Sequence, residues 1–307
     1  MVLSLIALCC GERGLRVRFE REIDLIAMSS VETRIIEEVM PQMRFRSSAS
    51  NRIRAIALNT FRESIRDRVL YNLILFVLIL VTASVFVSDL SLDMESQFTA
   101  ALGLSAMLVF GALIAIFIGV ALVYKEIDKR TIYSLLSKPV RRHEFIIGKY
   151  AGLCLTLFVN TAVMVLATEA ALLYVNGKFV PLNATVLEAS FLVYLELVLI
   201  VAVSLMFSSF TTPMLAALFS FAVYVIGQLS RDLLQAAVLS NSAVTRAVLT
   251  TAYYLLPNLG NFGFIAEASH GRMVPLRMAL FATAYTLIYV TILLSASILI
   301  FQRRNFK

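Results

Sequence analysis

Three side chains carry acid, base or hydrogen-bonding chemistry within strongly apolar segments of this 307-residue chain. Glu196 falls near the middle of one such segment, and Glu169 and Asn160 share another. A charge at the centre of a membrane costs about 3 kcal/mol, so a carboxyl group there is protonated, paired or facing a cavity. These residues are therefore candidates either for lining a translocation path or for hydrogen bonds between helices or across a dimer seam.

Other kinds of site have no residues to build them. Neither histidine, His143 nor His270, falls in an apolar segment, and the methionines show no clustered pairs, so we predict no metal site. The dipeptide Gly148-Lys149 is not followed by Ser or Thr and has no glycine at the spacing of a phosphate-binding loop. We therefore predict no ATP site and no cofactor bound by this chain.

The composition indicates that most of the folded chain is surrounded by membrane lipid. Hydrophobic residues make up 60% of the chain and charged residues 15%, against about 45–50% and about 25% in soluble domains. The three cysteines, Cys9, Cys10 and Cys154, are too few for a disulfide framework. These proportions exclude a soluble enzyme, a disordered chain and a secreted disulfide scaffold.

Six segments are long and apolar enough to cross a membrane, which takes about 20 residues. They are 70–88, 98–123, 149–175, 186–210, 211–229 and 278–302. The fourth and fifth are separated only by a short polar break before Pro213, which suits the first turn of a helix. We predict an all-α integral membrane protein whose six-span domain covers residues 70–307.

The loop charges predict the orientation of these spans. With the N-terminus inside, and counting from residue 52 onward, fifteen Lys and Arg residues lie on the cytoplasmic side and five outside. The net charge of +7 is therefore explained by topology, and we predict no nucleic-acid partner. Both termini are predicted to be cytoplasmic.

A basic amphipathic segment precedes the first span. Residues 51–69 place apolar side chains at helical spacing and five arginines on the other faces. We predict an interfacial helix that binds membrane lipids, and the alternative is a basic flank that only sets topology. Residues 1–50 have balanced charge and little periodicity, which predicts a poorly ordered or non-native extension, and Met43 is an alternative start.

Two loops differ from simple connectors. A predicted short helix at 131–137, within the charged loop 125–149, has an apolar side that needs a protein or lipid partner, and Pro139 ends it. Alternatively, the loop is only solvated and topogenic. The outer stretch Ser230–Arg277 contains several apolar runs that are too short to span.

The charged loop resembles the first cytoplasmic loop of ABC-2 type transporter permeases, in the branch that includes multi-copper-enzyme maturation permeases. The matching residues are Glu126, Thr131, Ile132, Leu135 to Val140, Arg142, Glu144, Phe145, Gly148 and Lys149. A Leu-Pro-Asn-Leu element at residues 256–259 is similar to one that precedes the last span in that branch. The resemblance covers roughly residues 52–307.

The resemblance implies an exporter subunit of a prokaryotic cytoplasmic membrane. It implies a dimer, as homodimer or related heterodimer, seated on separate ABC ATP-binding subunits that hold the ATP and Mg²⁺. The coupling element that touches those subunits would consist of Thr131, Ile132, Leu135, Leu136, Lys138, Pro139 and Arg142. By the same analogy, the outer stretch forms re-entrant half-helices broken at Pro257, with Tyr254, Pro257 and Asn258 as outer-gate residues. A small external domain is the alternative for this stretch.

Three other functions are alternatives to this one. A stand-alone ion-coupled carrier would use Glu196 and Glu169, but the two halves show no corresponding broken helices. An intramembrane protease would use Ser105, but the motif lacks its last glycine and no membrane histidine can act as base. A structural anchor for an enzyme is the third. The carrier would work without an ATPase and would stop when the ion gradient collapses.

Overall fold

The computed structural model describes residues 49–66, 75–76, 79, 82–83, 94–128, 142–239 and 242–303. Regular structure in these ranges is helical throughout, as the sequence predicts. The helices are α1 Ala49–Arg66, α2 Glu95–Asp128, α3 Arg142–Asn176, α4 Pro181–Ser208, α5 Pro213–Gln228, α6 Ser230–Leu239, α7 Ala243–Leu255, α8 Ile265–Ser269 and α9 Leu276–Arg303, with a 3₁₀ turn at Leu259–Phe262.

Four helices are long and apolar enough to cross a membrane. Their candidate spans are Glu95–Ala121, His143–Asn176, Pro181–Ser208 and Leu276–Ile300. They correspond to the second, third, fourth and sixth predicted segments. Helices α2, α3 and α9 extend beyond the predicted bounds at both ends, whereas α4 begins five residues earlier and ends two residues earlier than predicted. The chain is therefore a multi-pass membrane protein.

The other two predicted spans differ from these four. The fifth was predicted at 211–229, but α5 has only 16 residues and reaches spanning length only together with Asp232–Leu239, across a bend of 69°. Most of the first predicted span lies outside the described residues, as do residues 1–48 and the predicted coupling helix. The described residues therefore contain four candidate spans, or five if the bent pair is one.

Helix α4 lies at the centre of the helix bundle. In its most apolar stretch 72% of residues are buried, compared with 22% in α9. Gly111 and Gly119 on α2 allow that helix to approach closely, since an added Cβ would lie 2.5 Å from Leu197 Cδ1 and 2.8 Å from Ser204 Cβ. Small residues at such contacts let helix backbones pack without a hydrophobic driving force from water.

Two local signals set helix ends as the sequence suggests. Gly177 adopts φ of +65° at the end of α3, and its N–H donates to Leu173 O at 2.9 Å, which is a helix end that favours glycine. Pro213 occupies the first turn of α5, directly after the predicted break. Both signals lie in loops that connect neighbouring helices.

Candidate functional site

An ion pair joins the first turn of α1 to the first turn of α3. Arg52 Nε donates to Glu144 Oε2 at 2.9 Å, and Arg52 Nη2 donates to Glu144 Oε1 at 2.7 Å. The Glu144 side chain is only 3% exposed, so its charge needs this partner. The hydrogen bond to Glu144 raises the pKa of Arg52, which keeps the guanidinium charged. We call the contact of α1 with α3 the α1–α3 joint.

Two glycines allow the helices of the joint to touch. A Cβ at Gly152 would lie 2.6 Å from the backbone oxygen of Ala57, and a Cβ at Gly148 would lie 2.9 Å from Ile56 Cβ. They are four residues apart and therefore share one face of α3. This is the small-xxx-small spacing that lets membrane helices pack backbone to backbone.

Further contacts tie the joint to the centre of the bundle. Lys149 is 2% exposed, and its Nζ lies 4.9 Å from the centre of the Phe145 ring, within the range of a cation–π interaction. The Tyr150 hydroxyl donates to Val198 O on α4 at 3.3 Å. The joint is therefore continuous with the buried central helix.

Of the predicted coupling residues, only the last one lies within the described residues. Thr131, Ile132, Leu135, Leu136, Lys138 and Pro139 lie outside the described residues. Arg142 is the first residue of α3. The predicted element therefore ends at the first residue of the helix that carries Glu144, Gly148 and Gly152.

Glu196 lies in the interior of the bundle. Its side chain is 1% exposed, and its Oε1 accepts a hydrogen bond from Gln228 Nε2, the last residue of α5. The sequence allowed two roles for Glu196, in a translocation path or in a hydrogen bond between helices. The bond to Gln228 is of the second kind. The carboxyl group holds the end of α5 against α4 at the point where the chain bends.

The hydrogen bonding of Glu169 and of Asn160 differs from that of Glu196. Glu169 Oε2 accepts from Asn183 Nδ2 at 2.5 Å, which ties the outer part of α3 to the start of α4. Asn160 is 2% exposed, and its side-chain amide has no hydrogen-bond partner in the described part of the chain. No hydrogen bond connects these two residues with each other or with Glu196 among the described residues.

The outer segment turns at Pro257 and Asn258. The Asn258 N–H donates to the Tyr285 hydroxyl of α9 at 2.8 Å, and the Ser230 hydroxyl donates to Asn258 Oδ1. Pro257 and Asn258 are both buried. Gly227 permits the approach, because a Cβ there would lie 2.9 Å from Pro257 O. We call residues 257–262 the outer turn.

Tyr254, the third predicted gate residue, does not join this cluster. Its side chain is 76% exposed, and its ring packs edge-on against Tyr253 at 5.3 Å between centroids. It lies on α7, which has no buried residue. The outer turn is instead completed by residues from α6 and α9.

Sequence reasoning missed the residues that complete both regions. Arg52 and Glu144 are 92 positions apart, and no local pattern pairs them. Ser230 and Tyr285 are ordinary residues in their own segments. The spacing of Gly148 and Gly152 was the one available signal, since four-residue glycine spacing is typical of close helix contacts.

Comparison with known proteins agrees with this architecture. The family model described as ABC-2 family transporter protein matches residues 54–306. The chain belongs to the ABC-2 transporter family. It is therefore a membrane transport permease, which agrees with the resemblance drawn from the loop motif. The match begins within α1, two residues after Arg52, and includes the rest of the joint, the bundle and the outer turn. No curated protein matches the chain.

Proposed function

We propose that this permease is the transmembrane subunit of an ATP-driven exporter, working as a dimer with separate ABC ATP-binding subunits. The family match supports transport, and the sequence has no phosphate-binding loop of its own. ATP and Mg²⁺ would then be held by the partner subunits. The location we propose is a prokaryotic cytoplasmic membrane with both termini inside.

The observation that carries this proposal is the α1–α3 joint. The coupling element that we propose includes Arg142, the first residue of α3, so a push on that residue would reach the first turn of α3 directly. The ion pair Arg52–Glu144 and the close contacts at Gly148 and Gly152 would make α1 follow α3. Packed elements of this kind shift as rigid bodies. A movement of the ATPase would thus be passed to α3 and α1 together.

The outer turn supports a re-entrant arrangement of the outer segment. It contacts Tyr285, nine residues after the start of α9, which is about 13 Å along the helix axis. Non-helical backbone at membrane depth is tolerated only where protein or a water-filled cavity surrounds it. Pro257, Asn258 and Leu259 are buried. We propose that the outer turn closes the pathway from outside, with Asn258 as its central residue.

We propose structural roles for two of the three intramembrane polar residues. Glu196 and Glu169 each accept an interhelical hydrogen bond from an amide side chain. Asn160 stays a candidate for the translocation path, because a buried amide that has no partner among the described residues can bind a polar substrate group or water.

The proposal is tested by co-purification from gently solubilised membranes. The tagged chain is purified as wild type, as Leu135→Asp and as Ser134→Asp, and accompanying proteins are identified by mass spectrometry. Ser134 is the control because it lies on the opposite side of the predicted coupling helix. We expect an ATP-binding subunit with wild type and Ser134→Asp, and its loss with Leu135→Asp.

The contradicting result is the absence of any ATPase under conditions that preserve other membrane complexes. Transport that continues without an ATPase and stops with the ion gradient would then favour the ion-coupled carrier. Glu196 would be the first residue to substitute in that case, because it is the most deeply buried carboxyl group of the bundle.

A further inference from the structure

A cleft of about 550 Å³ lies between the outer turn, α8 and the outer third of α9. This volume is in the range of small-molecule sites, which is about 300–1,000 Å³. The side chains that decide its chemistry are Asn261, Phe264, Glu267, Met278, Phe281 and Tyr285. We call it the outer cleft.

Three aromatic rings contribute to the lining of the outer cleft. Tyr285 is held in place, since its hydroxyl accepts the Asn258 N–H and its ring packs on Phe262 at 6.3 Å between centroids. Phe264 is half-buried and precedes α8. Phe281 is 75% exposed on the candidate span of α9, so the described residues leave its ring largely uncovered. Aromatic faces carry partial negative charge and attract cations.

Glu267 adds a full negative charge to the same lining. The residue is half-buried, and its carboxylate has no hydrogen bond or ion pair within the described residues. Arg272 donates only its backbone N–H to Glu267 O, at 3.0 Å. Among the residues that the structure describes, no Lys or Arg belongs to the lining. A partly desolvated carboxylate beside aromatic rings favours a positively charged occupant.

We infer that the outer cleft binds an amphipathic organic cation, one with an aromatic or aliphatic body and a quaternary or protonated charged centre. The rings and the Met278 thioether suit the apolar body, and Glu267 suits the charge. A lipid tail alone would gain nothing from the carboxylate, and an anion would be repelled by it. The shared chemistry fits two sources, a choline-type lipid headgroup and a free lipophilic cation.

This inference goes beyond the proposed function, because it concerns equilibrium binding and needs neither ATP nor a partner subunit. Failure of the co-purification experiment would leave it standing, and its own failure would leave the exporter proposal standing.

The test is equilibrium binding of tetraphenylphosphonium to the full chain in an uncharged maltoside detergent. Tetraphenylborate is the matched probe, since it has the same shape and the opposite charge. We expect saturable binding of the phosphonium and none of the borate. The variants Glu267→Gln and Phe281→Ala should weaken phosphonium binding by about tenfold and by several fold, respectively, because each removes one attraction to the cation.

Two control variants match these substitutions at sites away from the cleft. Asp232→Asn removes an exposed carboxylate on α6, and Phe191→Ala removes a ring that is 48% exposed on α4. Both should bind the phosphonium as wild type does. Phe281→Ala also protects the test against misfolding of Glu267→Gln, because the exposed Phe281 side chain adds little to the packed core.

Three results of the probe-binding measurements would overturn the inference. They are no binding by wild type, equal binding of phosphonium and borate, and unchanged affinity in both cleft variants. Added phospholipid then distinguishes the two sources. Displacement by phosphatidylcholine but not by phosphatidylglycerol assigns the cleft to a lipid headgroup, and no displacement by either assigns it to a free cation. Equal displacement by both lipids would indicate a site for acyl chains and would also overturn the inference.

Discussion

The α1–α3 joint and the outer segment are built in opposite ways. The joint brings two continuous helices together through glycines and one bidentate ion pair. The outer segment, from α6 to α8, is made of short helices with a bend of 69° at its start and a 3₁₀ turn in its middle. Helix α7 packs mainly on α6 and buries no residue.

This difference shows where movement would be transmitted and where it would be absorbed. Continuous helices in close contact shift together, whereas short elements joined by turns can change their angles. Few buried apolar contacts also mean a low local cost of opening. We therefore expect the joint to act as a rigid lever and α6 and α7 to supply the flexible part of the outer segment. The segment is held by the outer turn and by α8, which packs on α2 and α4.

The largest effect should come from adding a methyl group within the joint. In Gly152→Ala the new Cβ meets the backbone oxygen of Ala57 at 2.6 Å, and backbone cannot move aside as a side chain can. We expect a loss of about 1–3 kcal/mol of stability, the usual cost of overpacking, seen as a lower midpoint of thermal unfolding.

The matched control for this substitution is Gly263→Ala, where the nearest atom, Gly260 O, is 3.4 Å away. An unchanged midpoint in Gly152→Ala, or an equal decrease in both variants, would mean that the joint is not tightly packed.

A smaller effect should follow from loosening the outer turn. Tyr285→Phe removes the acceptor for the buried Asn258 N–H, and we expect a cost of about 1 kcal/mol in thermal unfolding. The control is Tyr289→Phe, which removes an exposed bond to Leu255 O. Equal effects of the two variants would show that the outer turn is not held by its bond to α9.

The ion pair of the joint should give a measurable but screened coupling. A double-mutant cycle of Arg52→Gln and Glu144→Gln should show favourable coupling in thermal unfolding, and salt should reduce it because Arg52 is partly exposed. The raised pKa of Arg52 means that its contribution is present below the ordinary arginine pKa and is lost only above the raised value. This group should therefore cause no change between about pH 7 and about pH 10. Additive single variants would contradict the pairing.

The smallest effect should come from Tyr254, the gate residue that lies outside the outer turn. Because its side chain is 76% exposed, Tyr254→Ala should change stability by less than about 0.5 kcal/mol. A large loss would show that another molecule, such as a second copy of the chain, covers α7. The measurement is again thermal unfolding of the purified chain.

The helices could be predicted from sequence where local signals exist. Apolar length placed four spans, Pro213 placed the start of α5, and the break at Pro257 separates α7 from the 3₁₀ turn. The fifth span was predicted as one segment because Leu229 and Ser230 give no sign of the bend. Gln228, at the end of α5 just before that bend, bonds to Glu196, 32 positions earlier.

The two functional regions were harder to predict for the same reason. The joint depends on a pair 92 positions apart, and the outer turn depends on residues of α6 and α9 that are separated from Asn258 by 28 and 27 positions. Such partners follow from the packing of whole helices rather than from any local spacing. The loop motif predicted the family correctly, because a motif shared by a family reflects the helix packing that its members have in common.

The contrast between a rigid joint and a flexible outer segment is tested most directly by hydrogen–deuterium exchange of the full chain in lipid nanodiscs. Peptides from the joint, within 49–66 and 142–157, should exchange slowly, and peptides from 230–256 should exchange much faster under the same buffer conditions. The outer turn, 257–262, should lie between them because it is held by the Asn258–Tyr285 bond. Exchange in the joint as fast as in 230–256 would contradict the rigid lever.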